Sequence, residues 1–269
     1  MNLTSPPYVS SIDAHYTFFM VHMPNLLHIN VIGKGAPLVL LHGWGWHSGI
    51  WSPLVPHLAD KFQLFIPDLP GFGKSVDLTK SYAFSEIVDA LFEQIPDQAT
   101  WLGWSLGGMV AWWASIHYPE KIARLITVAS TPKFISDMNW PGVSLTVLNQ
   151  FANQLANHYQ ETLTDFLRLQ LGNKNSLLFT ELRSQLLPIE SSALMGGLRL
   201  LSETDLRADL AKIKIPSLHI FGEMDRLVPA GVIDNLRDLL FDGRCEMIKR
   251  AGHMPFLSHR EEFLRLLGV

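Results

Sequence analysis

Three residues far apart in the chain, Ser105, Asp225 and His253, have the types and the order needed for nucleophilic catalysis. A serine hydroxyl is a poor nucleophile until a base takes its proton, and a histidine does this well only when an acid orients its ring. Ser105 stands in Gly103-Trp104-Ser105-Leu106-Gly107-Gly108, where a short β run, Ala99 to Leu102, passes into a helical pattern beginning near Leu106. Taken alone, G-x-S-x-G also marks an ordinary Gly- and Ser-rich turn. At a strand-to-helix junction it forms a sharp elbow that lifts the serine Oγ out of the fold, with helix N-terminal N–H groups behind it.

An acid and a base follow in the required order. The apolar run Ser217 to Phe221 leads into Gly222-Glu223-Met224-Asp225-Arg226-Leu227-Val228-Pro229, and the strand-like Glu246-Met247-Ile248 leads into Ala251-Gly252-His253-Met254-Pro255-Phe256. All three residues thus fall in loops just past strands, where active-site groups of open parallel sheets collect. Asp225 could instead cap a helix starting near Pro229; Glu223 is the rival acid, but Asp225 is the one in the G-x-x-D-x-x-V-P context. His253 is read as the general base; His15, His57, His117, His158, His219 and His259 are read as ordinary loop histidines.

Charge that develops on an attacked carbonyl needs backbone donors. Pro37 to Leu41 reads as a buried strand ending in the turn His42-Gly43-Trp44-Gly45. The expected oxyanion donors are the N–H groups of Trp44 and Leu106, with His42 bracing the loop. A metal reading of His42, His47 and His57 fails on spacing, and no cofactor is expected.

The elements that must hold these loops alternate. Phe62 to Pro67 and Ile122 to Val128 read as strands, and Phe84 to Gln94 and Leu106 to His117 as helices, the last ended by Pro119. This predicts an α/β fold with a mostly parallel central sheet covered by helices. The alternation stops at 132–205, where Leu145 to Leu155, Tyr159 to Leu171, Ser176 to Leu187 and Ser191 to Leu201 all read as helices. That segment is expected to be an inserted helical lid, with 23–131 and 206–269 forming the core. Residues 1–22 read as a loosely attached extension without the pattern of a signal peptide, and Met23 as a more natural start.

The 269 residues, 48% hydrophobic and 17% charged, exclude wholesale disorder. A formal net charge of −4 offers no general attraction to nucleic acid. No uninterrupted apolar stretch reaches transmembrane length. The single cysteine, Cys245, cannot form an internal disulfide and fits a reducing, cytoplasmic setting. A monomer is expected.

Together these residues resemble the α/β-hydrolase family over roughly 26–267, and more closely its carboxylesterases acting on the methyl ester of pimeloyl-[acyl-carrier protein] in biotin synthesis. The likeness rests on Leu-Leu-His-Gly-Trp-Gly at 40–45, Asp-Leu-Pro-Gly-Phe-Gly at 68–73, Trp-Leu-Gly-Trp-Ser-Leu-Gly-Gly at 101–108, Thr-Val-Ala-Ser at 127–130, Trp-Pro-Gly at 140–142 and Phe-Leu-x-Leu-Gln at 166–170. The resemblance implies that Ser105, Asp225 and His253 form the triad and that Trp44 and Leu106 contact the acyl group and its oxyanion. It implies that Phe166, Leu167, Arg168, Leu169 and Gln170 line an acyl channel, although Phe166 and Leu169 also fit helix packing. It further implies a transient partner, the acyl carrier protein.

This family's lid is expected to be basic, to meet that acidic partner. Here 132–205 carries five basic residues (Lys133, Arg168, Lys174, Arg183, Arg199) against seven acidic ones (Asp137, Glu161, Asp165, Glu181, Glu190, Glu203, Asp205). Arg168, Arg183 and Arg199 could still form a local patch. The same triad serves general short-acyl carboxylesterases, carbon–carbon bond hydrolases and peroxidase-like relatives, and the fold also occurs as a ligand-binding module with little turnover. A haloalkane dehalogenase would carry Asp where this chain has Ser105.

Overall fold

A computed structural model describes residues 27–77, 79–171 and 176–269; the expected extension at 1–22 lies outside the described residues. Strands β1 (Ile29–Gly33) and β2 (Ala36–Leu41) are followed by the short helix α1 (Val55–Leu58), β3 (Phe62–Pro67), α2 (Phe84–Phe92), β4 (Ala99–Trp104), α3 (Leu106–His117) and β5 (Ile122–Val128). Four helices come next, α4 (Leu145–Asn157), α5 (Tyr159–Leu171), α6 (Ser176–Ser184) and α7 (Ser191–Glu203). The chain then adds β6 (Ser217–Gly222), α8 (Val232–Leu239), β7 (Gly243–Ile248), α9 (Pro255–Ser258) and α10 (Arg260–Leu267).

The described strands form one sheet in the order β1-β3-β2-β4-β5-β6-β7, parallel throughout except for β1, which runs antiparallel to β3. Because side chains alternate across a strand, the sheet feeds two cores. Leu38 and Leu40 of β2 join Leu102 and Trp104 of β4 on one face, while Val39 and Leu41 join Trp101 on the other. Each such large buried side chain contributes about 1.5–3 kcal/mol. α3 is apolar nearly all round because it lies between the sheet and the surrounding helices, and ten of its twelve residues are buried. The helical insertion reaches both cores: Leu163, Leu194 and Leu198 join the first, Leu167 and Leu182 the second.

The insertion is tied where it leaves and re-enters the sheet. Lys133 pairs with Asp137 at 2.8 Å and with Asp205 at 3.1 Å, and Arg207 pairs with Asp137 at 3.0 Å and Asp205 at 2.7 Å. Hydrogen bonds from Lys133 and from Arg207, respectively, lead in holding the Asp137 and Asp205 carboxyls down to about 2. Among the described residues no helix is long and apolar enough to cross a membrane.

Several local expectations change. β1 has no counterpart in the sequence reading: Ile29, Val31 and Ile32 make it apolar in part, but it is a five-residue edge strand with four residues exposed. β7 begins at Gly243 rather than Glu246, α6 stops at Ser184, and α8 starts at Val232, three residues past Pro229. His219 is not a loop histidine. It is fully buried within β6, stacked on Trp112 at 4.3 Å, with Thr127 Oγ1 2.8 Å from Nδ1 and Ser217 Oγ 3.1 Å from Nε2. Cys245 is half-buried in β7, and burial pushes its thiol up to about 11.

Candidate active site

At the end of β4 the backbone turns sharply. Ser105 adopts φ 53° and ψ −118°, a conformation that L-residues rarely hold, and its N–H donates to Val128 O at 3.0 Å on the neighbouring strand. The flanking glycines make the turn possible. A Cβ on Gly103 would lie 2.2 Å from Gly107 O, and one on Gly107 would lie 2.5 Å from both Leu41 O and His42 O, so β2, β4 and α3 meet backbone to backbone. The Ser105 side chain is partly exposed and makes no capping bond to α3.

Asp225 and His253 meet in the loops after β6 and β7. His253 Nδ1 lies 2.8 Å from Asp225 Oδ2, with both side chains essentially buried. Asp225 Oδ1 accepts from the N–H groups of Leu227 at 2.8 Å and Val228 at 3.1 Å. Asp225 therefore does not cap a helix, since α8 starts at Val232 with Gly231 before it; one oxygen closes the turn after β6 and the other meets His253. Glu223 points elsewhere and accepts from Arg250 N at 2.8 Å. The second ring nitrogen, His253 Nε2, is buried and has no hydrogen-bond partner among the described residues. A buried polar atom left unsatisfied is costly unless it has work to do.

The loop after β2 carries Trp44. Neither its backbone N–H nor that of Leu106 has a hydrogen-bond partner among the described residues, which leaves two donors available for an oxyanion. His42, fully buried, braces this loop: Nδ1 is 2.8 Å from Gly43 O and Nε2 accepts from Leu69 N at 2.9 Å. Burial lowers its pKa to about 4, so the ring is neutral, with the proton on Nδ1. Beside it, burial would raise the Asp68 carboxyl, but the neighbouring His42 and the amides of Lys74 and Ser48 hold it below its ordinary value.

His42 and His219 carry a testable pH dependence. Burial lowers His219 to about 3 and His42 to about 4, from an unfolded value of 6.5. Above pH 6.5 both rings are neutral in either state and nothing is lost. Below it the unfolded chain takes up protons that the fold refuses, so stability falls by about 1.4 kcal/mol per pH unit for each histidine until the folded groups titrate. Urea midpoints measured between pH 7 and 5 should fall accordingly, and His219→Gln should remove roughly half of the slope. A flat profile would show that both rings take up protons in the fold as readily as in the unfolded chain.

The five residues of the 166–170 segment go to different places. Phe166 packs edge-on against Trp44 at 5.4 Å between ring centroids, beside Phe151. With Leu169 these phenylalanines line a cavity of about 260 Å³ between α4 and α5, together with His158, Glu161 and Asp165. Leu167 is 1% exposed in the core beneath. Arg168 turns outward, ion-paired with Asp165 at 2.6 Å and lying over Phe179. Gln170 is 1% exposed and accepts from Trp46 Nε1 at 3.0 Å. Arg199 is also engaged, donating to the carbonyls of Ser81 and Tyr82, while Arg183 is exposed.

Residues without obvious chemistry complete the site. Trp104, fully buried, donates from Nε1 to His253 O at 2.8 Å, and Trp44 Nε1 donates to Leu194 O at 2.9 Å on α7. Gly197 lets α7 approach, since a Cβ there would lie 2.6 Å from the Trp44 ring. The tryptophan pair at the two turns that carry the oxyanion donors was the available signal, but partners 149 and 150 residues away were not legible. Among the described residues no cluster of His, Cys, Asp and Glu could hold a metal ion.

Residues 36–260 match a family model described as alpha/beta hydrolase fold. The chain is 43% identical over 235 residues, 86% of its length and 91% of the relative's, to a protein of Edwardsiella ictaluri named pimeloyl-[acyl-carrier protein] methyl ester esterase. It is 40% identical over 241 residues, 87% of its length and 94% of the relative's, to one of the same name from Photobacterium profundum. Among solved structures, an esterase from Exiguobacterium antarcticum superposes with TM-score 0.84 at 22% identity, covering 90% of this chain and 93% of that one. A bromoperoxidase from Bacillus anthracis does so with TM-score 0.82 at 23% identity, covering 90% and 95%. At such identities these two likenesses speak for the fold alone.

Proposed function

This chain belongs to the α/β-hydrolase family, within the group of pimeloyl-[acyl-carrier protein] methyl ester esterases, and we propose that it is a serine esterase that hydrolyses the methyl ester of pimeloyl-acyl carrier protein in biotin synthesis. The observation that carries the chemistry is the buried Asp225–His253 pair with its unpartnered Nε2, set at the same end of the sheet as the strained Ser105 elbow. The substrate is supported by the relatives that share 36–43% identity over most of the chain and bear that name.

In the proposed reaction Ser105 Oγ attacks the ester carbonyl while His253 Nε2 takes its proton. Asp225 holds the imidazole with Nδ1 protonated and stabilises its charged form. The N–H groups of Trp44 and Leu106 receive the oxyanion, each such donor being worth about 2.7–4 kcal/mol. His253 returns the proton to the departing methoxide, releasing methanol. It then activates a water that frees the carboxylic acid and restores the serine. This chemistry needs no metal or organic cofactor. In this reading the helices of 132–205 act as the lid over the site, and the acyl carrier protein is a transient partner.

Two of the three arginines that could form a carrier-binding patch are already engaged, Arg168 with Asp165 and Arg199 with backbone carbonyls. That observation favours a second reading, a general short-acyl carboxylesterase with the same triad. Hydrolysis of pimeloyl methyl ester on acyl carrier protein, run beside p-nitrophenyl butyrate, separates the two. A strong preference for the carrier-bound ester is expected; turnover of the generic ester alone would keep the triad and discard the specific substrate.

A further inference from the structure

We propose that Gln170 is a positioning residue that fixes His253 and the oxyanion loop relative to each other, rather than only a lining residue of the acyl channel. Gln170 lies in the last turn of α5, where carbonyls have no N–H of their own helix to accept from. Its carbonyl accepts instead from the backbone N–H of His253 at 3.2 Å. Its side-chain Oε1 accepts from Trp46 Nε1 at 3.0 Å, two residues beyond the Trp44 amide. One buried residue therefore holds both loops, 124 residues from one partner and 83 from the other.

The fit around it is close. A Cβ on Gly252 would lie 3.2 Å from Gln170 O, so the chain preceding His253 packs directly on the end of α5. The other side of the His253 residue is held as well, its carbonyl accepting from Trp104 Nε1 at 2.8 Å, and the Trp104 ring lies 6.4 Å from that of Trp46. Both backbone groups of His253 are thus anchored, which sets where its ring starts toward Asp225. Removing the Gln170 side-chain acceptor leaves the buried Trp46 N–H unsatisfied and unties the oxyanion loop from the end of α5, so the histidine, still bound to the Gln170 carbonyl, and the Trp44 amide lose their common reference. Helix α5 thereby couples the seating of the insertion to the alignment of the catalytic groups.

This inference rests on the reading of Ser105, His253 and Asp225 as the triad. Its test is Gln170→Met, which keeps length and apolar volume but removes the acceptor, assayed with p-nitrophenyl butyrate and with an organophosphonate that modifies activated serine. The expected result is a kcat lower by about 10- to 100-fold with KM nearly unchanged, and an equally slowed phosphonylation of Ser105. Trp46→Phe removes the other half of the contact and should give the same loss, with no further loss in the double variant because the pair acts as a unit. This second variant also keeps the test open where Gln170→Met does not fold. Unchanged kcat and phosphonylation in a folded variant would overturn the proposal, and so would a rise in KM alone, which belongs to a ligand contact. A wild-type protein inert to the phosphonate would instead overturn the triad reading.

Discussion

A Ser105→Ala protein is expected to fold as the wild type does and to lose ester hydrolysis by a factor on the order of 10⁶, the scale seen when a serine hydrolase loses its nucleophile. The two halves of this expectation have separate causes. Activity goes because the attacking oxygen is removed while the buried Asp225–His253 pair is left with no proton to take. Stability stays because the Ser105 hydroxyl caps nothing and its backbone partners, Val128 O, Met109 N and Ser130 Oγ, bind its N–H or its carbonyl. Alanine accepts φ 53° no more readily and no less readily than serine, so the strain at the elbow is unchanged. Turnover of either ester by the two proteins, with thermal melts alongside, reads both halves. Wild-type turnover in a clean Ser105→Ala preparation would remove the serine from the mechanism.

Asp225→Asn is expected to cost about 10⁴-fold in kcat with little change in KM, and the hydrogen bonds explain why. Asp225 Oδ1 accepts two backbone N–H groups, from Leu227 and Val228. In an asparagine the carbonyl oxygen is required at that position, so the NH₂ group must face His253 Nδ1. Facing a donor, Nδ1 becomes the acceptor and the ring proton moves to Nε2, the nitrogen that has to receive the serine proton. The loss is thus one of tautomer, and the carboxylate's charge on the imidazolium goes with it. The variant should retain the wild-type fold, because the amide still satisfies both loop N–H groups. A loss below about tenfold would instead favour another acid for this role.

Much of this was legible in the chain because it is encoded over short distances. The glycines around Ser105 state a backbone requirement, the apolar runs before His42, Ser105, Asp225 and His253 state strand ends, and the 3.6-residue periodicity of 145–203 marks four helices whose observed bounds differ by a few residues. Each is a property of a segment that folds in much the same way wherever it is placed. The charge balance of the insertion could likewise be counted, but not that Arg168 and Arg199 would be occupied.

What only the tertiary structure decided are relations between distant segments. That Asp225 meets His253 while Glu223 turns to Arg250 N depends on where the β7 loop lies beside the β6 loop. The burial of His219 depends on Thr127 of the neighbouring strand, 92 residues away. The placement of exposed β1 against β3 depends on backbone pairing that no apolar pattern announces. Gln170 shows the limit most clearly. Its neighbours in sequence reveal a helix end, yet its partners, Trp46 and His253, are set by how the sheet orders its strands and how α5 descends on their ends. Local propensity and periodicity act within a few residues, whereas hydrogen bonds between loops exist only once the core has packed and brought those loops within about 3 Å.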